Sequence, residues 1–107
     1  MTNPWMHCVT MLVANQNYRL YDLMVVAEPN PPALLQLLRI QADPAGLNAE
    51  FRIGGSTMTD TDYGVLLYAT QVWPLEDGGG LSTISTKGVY VRCNVASLRF
   101  AVTALQR

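Results

Sequence analysis

Two short alternations, separated by a proline turn, constrain this chain more than any other feature in it. In Leu38-Arg39-Ile40-Gln41-Ala42, and again in Ala49-Glu50-Phe51-Arg52-Ile53, apolar residues fall on every second position. A pleated strand turns that period into one dry face and one wet face. Asp43-Pro44 halts the first run, because proline brings no donor to a ladder. Two such runs across Ala45-Gly46-Leu47-Asn48 imply either a hairpin or a crossing from one sheet to another.

The rest of the chain is punctuated in the same way. His7 to Ala14 reads as a strand ending at Asn15-Gln16-Asn17. Tyr18 to Ala27 carries two signals: Leu20, Leu23, Met24 and Ala27 sit at helical spacing, whereas Val25-Val26 and the tyrosines favour a strand. A strand leading into one short helical turn is expected there. Pro29, Pro31 and Pro32 make a stiff extended connector. Beyond it, Pro32 to Leu38 could open a helix with leucines at i, i+3 and i+4, but the period-two pattern running on to Ala42 favours a strand.

Tyr63 to Thr70 is apolar on both parities, so cover on both faces is expected, within the molecule or against another subunit. Trp73-Pro74 through Gly78-Gly79-Gly80 reads as the longest irregular segment, a flexible surface loop. Leu81 to Thr86, Val89 to Cys93 and Leu98 to Ala104 return to alternation. About eight short strands, with turn signals every 8 to 12 residues, predict an all-β fold, an antiparallel β-sandwich or jelly roll. At 107 residues the chain is expected to form one domain over 1–107. Asn3-Pro4 and an isolated Trp5 suggest that residues 1–6 form a flexible arm, with Trp5 either anchoring on a neighbour or folding back over its own core.

Charge restricts the partners. Charged residues are 14% of the chain and the net charge is -1, against about 25% charged in an ordinary soluble domain. With half the residues apolar, part of the exterior must be uncharged, which favours association with another protein. The seven Lys and Arg are scattered, so nucleic acid is not an expected partner. Met11 to Ala14 and Leu23 to Ala27 fall far short of the ~18 to 20 apolar residues of a membrane span. The amino terminus has no Lys or Arg before Arg19 and does not read as a secretory leader.

No pattern announces chemistry. His7 is the only histidine, and its neighbour Cys8 points to the opposite face of a strand, so no nucleophile–imidazole pair forms between them. HxH, HExxH and CxxC are missing, so neither a metal nor a cofactor is expected. Cys8 and Cys93 lie in apolar runs and read as buried free thiols, with a bridge between them the less favoured alternative. Asp60-Thr61-Asp62 resembles a metal–phosphate DxD element, but beside Thr59 and Tyr63-Gly64 the aspartates read as turn residues capping backbone amides. Trp5, Tyr63, Tyr68 and Trp73 are the candidate protein-contact residues; Trp73 and Tyr63 would also serve a carbohydrate-binding module.

Three segments carry a resemblance. Leu38-Arg39-Ile40-Gln41-Ala42-Asp43-Pro44, then Phe51-Arg52-Ile53-Gly54-Gly55-Ser56, then Thr59 to Leu67, closing with Val89-Tyr90-Val91-Arg92, look like the strand motifs of small all-β virion structural proteins of tailed bacteriophages. The turn at Ala45-Gly46-Leu47-Asn48 departs from the Asn-Thr-Gly turn of that pattern, and the Pro29 to Pro32 connector lies outside it. The resemblance implies a non-enzymatic capsid cement or decoration protein. It would act as a homo-oligomer, a trimer by analogy, bound to the major capsid protein or another virion protein. It would be located in the virion, and in the host cytoplasm during assembly. A head-to-tail adaptor or a tail component is the alternative within the same resemblance.

Overall fold

The computed structural model describes residues 4–76 and 84–106. The Gly78 to Gly80 loop, the start of the run expected from Leu81, and residues 1–3 of the expected arm lie outside the described residues. Among the described residues nine strands form two antiparallel sheets: β1 (Trp5–Met11), β2 (Tyr18–Arg19), β3 (Leu34–Ala42), β4 (Phe51–Gly54), β5 (Val65–Leu67), β6 (Val72–Glu76), β7 (Ile84–Ser85), β8 (Tyr90–Cys93) and β9 (Leu98–Gln106). One helix, α1 (Leu20–Ala27), and a 3-10 turn at Thr86–Gly88 are the remaining regular elements among the described residues. The first sheet runs β1-β9-β3-β6, with β7 also on β3, and the second runs β2-β8-β4-β5. This is the expected all-β sandwich.

The inner faces follow the alternation. Val9 and Met11 of β1, Phe100, Val102 and Ala104 of β9, and Leu38, Ile40 and Ala42 of β3 are buried against Phe51, Ile53, Leu67, Val91 and Cys93 of the second sheet. Phe51 and Phe100 meet edge to face across the sandwich, their centroids 5.2 Å apart. Gly46 lies beneath this pair because the space is already filled: a Cβ there would come within 2.8 Å of both Phe51 Cζ and Leu98 Cδ1. β3 and β4 belong to different sheets, so the proline turn between the two alternations is a sheet-to-sheet crossing.

The helix-like leucine spacing before Arg39 has a specific origin. The β3–β9 register slips between Leu35 and Leu37. A bulge places one extra residue in the strand and shifts the parity of everything beyond it. Leu35 and Leu38, three apart, are therefore both fully buried while Leu34 and Gln36 face out.

Other expectations are corrected. Tyr18 to Ala27 is a strand leading into a helix as expected, but the strand is only Tyr18–Arg19 and the helix runs two turns where one was expected, because Leu20, Leu23 and Met24 bury a single stripe. The helix starts where Leu20 N–H meets Val89 C=O at 2.8 Å and ends with Glu28 N–H on Met24 C=O, ahead of Pro29. The arm does not extend to residue 6: Trp5 and Met6 open β1, and Trp5 is only 8% exposed, folded over its own core beside His7. The irregular segment expected from Trp73 begins instead inside a strand, Val72–Glu76, that carries Pro74 at the sheet edge, where a missing donor costs no ladder bond. Tyr63 to Thr70 is not a doubly covered strand; only Val65–Leu67 pair, at the edge of the second sheet.

Candidate functional site

Three features of the surface could carry function. The first is the outer face of the β1-β9-β3-β6 sheet. The registers place Met6, Thr103, Arg39 and Pro74 in one row and Cys8, Ala101, Gln41 and Val72 in the next. Met6 is 61% exposed, and Leu34 and Val72 also face solvent. Arg39 and Arg99 bring charge to this face, and Arg99 is drawn to Asp43 at 3.6 Å. It is a broad, charge-poor surface.

Asp43 anchors its rim. Its carboxylate accepts from Ala45 N–H at 2.9 Å and from Arg99 N–H at 3.2 Å. The Ala45 bond first, then Arg99's backbone and guanidinium, hold the carboxyl below its ordinary range, while burial pulls the other way. The folded state therefore binds this proton less readily than the unfolded chain. The resulting stabilisation is complete above the ordinary aspartate value near pH 4 and is lost as pH falls through the lower folded value. We expect Asp43→Asn to cost stability at pH 7 and the gap from the parent to close between roughly pH 5 and pH 2 in urea titrations. A gap that stayed constant across that range would refute the assignment.

The second feature lies on the outer face of the other sheet. Arg52 and Arg92 are cross-strand neighbours on β4 and β8. Arg52 is 6% exposed, with Glu50 at 3.2 Å and Asp60 at 4.0 Å, and Tyr63 lies over its guanidinium at 5.0 Å. Arg92 reaches Asp60 at 3.0 Å and Asn17 Oδ1 at 3.2 Å. Asn17 in turn donates to Met58 C=O at 2.8 Å. The loop of residues 55–64 is thereby held down over the sheet. Asp60 does not cap the turn: the Thr59 hydroxyl accepts from Thr61 and Asp62 N–H, and Asp60 is spent on the arginines. Two cations and two carboxylates balance, so this is a clamp and not an ion site. Among the described residues there is no group of three His, Cys, Asp or Glu placed to hold a metal.

The third feature is a groove of about 530 Å³ between β1 and α1, lined by Cys8, Val9, Thr10 and Leu12 on one side and by Tyr18, Asp22, Leu23, Val26 and Ala27 on the other. At its far end His7 and Glu28 are in contact.

The four contact candidates do not converge. Trp5 is buried. Trp73 is in register with Ile40 and half-buried against the core, so its ring is not a free platform. Tyr63 is exposed but stacked on Arg52, and Tyr68 is exposed in the turn leaving β5, where its N–H meets Gln71 Oε1 at 2.8 Å. The cysteines are free and unlike: Cys93 is buried, its thiol pushed up by desolvation, whereas Cys8, expected to be buried, is exposed because it sits on the outward parity of β1. The groove was invisible to sequence reasoning because it is made by α1 standing beside β1, a tertiary arrangement; the exposed Val26 in an otherwise well-patterned helix was the available signal. No protein-family model, curated protein or solved structure matches this chain.

Proposed function

We propose that this chain is a non-enzymatic assembly protein, in the form implied by its strand motifs a tailed-phage virion component of the capsid cement or decoration kind. The observation that carries the reading is the charge-poor outer face of the β1-β9-β3-β6 sheet, with Met6 and Val72 exposed on it. A surface of that kind gains by being covered with protein, and a specific interface needs about 1,200 to 2,000 Å² in total. Copies repeated on a symmetric shell add avidity, so each contact can be weak. Homo-oligomerisation, as a trimer by analogy, is the arrangement expected from the resemblance.

The test combines sedimentation with binding to purified phage capsids at micromolar concentration. The expected result is an oligomer, or saturable binding to shells, that Met6→Glu together with Val72→Glu weakens by about tenfold or more, since each substitution sets a charge against apolar contact. A monomer that leaves capsids bare at those concentrations would sink the reading.

A further inference from the structure

Sheet edges are where a fold of this type is open to other chains, and this protein treats its edges unequally. β2 and β5 are two and three residues long, and β6 carries Pro74. Short strands and proline blunt an edge. β1 is seven residues long, WMHCVTM, with no proline and no lysine, and among the described residues it pairs on one side only, with β9. Met11 C=O accepts from Ser97 N–H on the β9 side at 2.8 Å. Main-chain groups alternate sides along an antiparallel strand, so Met6, Cys8 and Thr10 turn their N–H and C=O groups to the open side. That open side is the groove faced by α1.

We propose that the groove between the open edge of β1 and α1 accepts an extended segment of a partner protein, added to the sheet as a further strand. The open main-chain groups recognise backbone in extended form, and side-chain pockets beside them set the pattern. Val9, Leu23 and Val26 require apolar side chains at alternate positions of the incoming strand. Cys8 to Leu12 spans about 13 Å, room for roughly four residues. Asp22 is the one charged residue lining the groove; its Oδ1 is held by Arg19 at 2.8 Å while its side chain stays 60% exposed, and Glu28, in contact with His7, lies just beyond. A Lys or Arg on the segment shares the exposed Asp22 carboxylate with Arg19. A second copy of this chain is a poorer occupant, since its edge strand would bring its own neighbour about 4.8 Å further out, into the space that α1 fills. The inference goes beyond the assembly reading and is scored on the isolated protein, so failure of capsid binding leaves it standing.

The experiment uses the ¹⁵N-labelled full chain and a blocked heptapeptide of alternating valine and threonine with one lysine. Expected are saturable shifts at the Met6, Cys8 and Thr10 amides, with hydrogen exchange there slowed at least tenfold. N-methylation of alternate peptide amides removes binding. Val26→Asn, at a position 86% exposed and so harmless to folding, weakens it by about tenfold, the loss of one apolar contact with a polar amide set against the incoming side chain. Exchanging the lysine for glutamate weakens binding in the parent and has little effect in Asp22→Asn. The proposal is overturned by an absence of saturable shifts, by shifts confined to another surface, or by an N-methylated peptide that binds equally well. It also fails if the β1 amides become protected with rising protein concentration and no peptide, which would make the occupant a second copy.

Discussion

Replacing Phe51 by alanine lowers stability by about 4 kcal/mol, enough to drop the thermal midpoint by roughly 15 to 30 °C in a domain of this size. Phe51 is fully buried, contacts Phe100 edge to face across the two sheets, and fills the space left by the missing side chain of Gly46. Its neighbours are held by two different sheets and cannot easily close the gap, so the cavity term adds to the lost transfer energy. Phe51→Leu, which restores most of the volume, should recover more than half of the loss. A drop below about 1.5 kcal/mol for the alanine variant, measured by urea denaturation, would mean that the sheets collapse onto the vacancy and that this contact does not join them.

The second large effect is expected from an asymmetric pair of variants. Glu50→Gln with Asp60→Asn strands the Arg52 guanidinium, buried beneath Tyr63, without a counter-charge. Breaking a buried pair from one side costs about 3 to 5 kcal/mol, whereas replacing its buried member by an apolar residue of similar length is often neutral. Glu50 and Asp60 are themselves partly exposed, which places the expected loss near the lower figure, about 3 kcal/mol. Arg52→Met should cost less than about half as much, because the two carboxylates it leaves behind can be hydrated. If the methionine variant is the less stable of the two, the clamp works through the arginine's bonds and not through the penalty for stranding it.

The strands that carry the alternation are readable because burial imposes period two on side chains: β3 from Leu38, β8 and β9 sit on that pattern, whereas β4 alternates in sequence but buries Arg52 as well, because the loop of residues 55–64 covers the face expected to be wet. What was hard to read has physical reasons. The leucines before Arg39 mimic a helix because a bulge changes parity, and a bulge is fixed by the neighbouring strand β9, 60 or more residues away in sequence. Val72–Glu76 looked irregular because Pro74 is excluded only from interior strands, and edge position is a property of the whole sheet. Asp60 reads as a cap in the sequence because nothing local shows that Arg52 and Arg92 stand side by side. The aromatic contact candidates stand out by size, and size is as useful to a core as to an interface; Trp5 is buried in the core and Trp73 packs half-buried against it.

The pairing of β1 with β9 has a consequence for how the protein is made. Seven residues near one end of the chain find their ladder partners nearly a hundred positions later, from Trp5 with Ala104 to Met11 with Leu98, and β9 also supplies one flank of β3. Such distant closures are slow, on the order of milliseconds to seconds for all-β domains. A nascent chain still short of Leu98 therefore has two seams waiting for the same missing strand. Until that strand emerges from the ribosome, the apolar sides of β1 and β3 stand open to chaperones and to one another's counterparts on neighbouring polysomes.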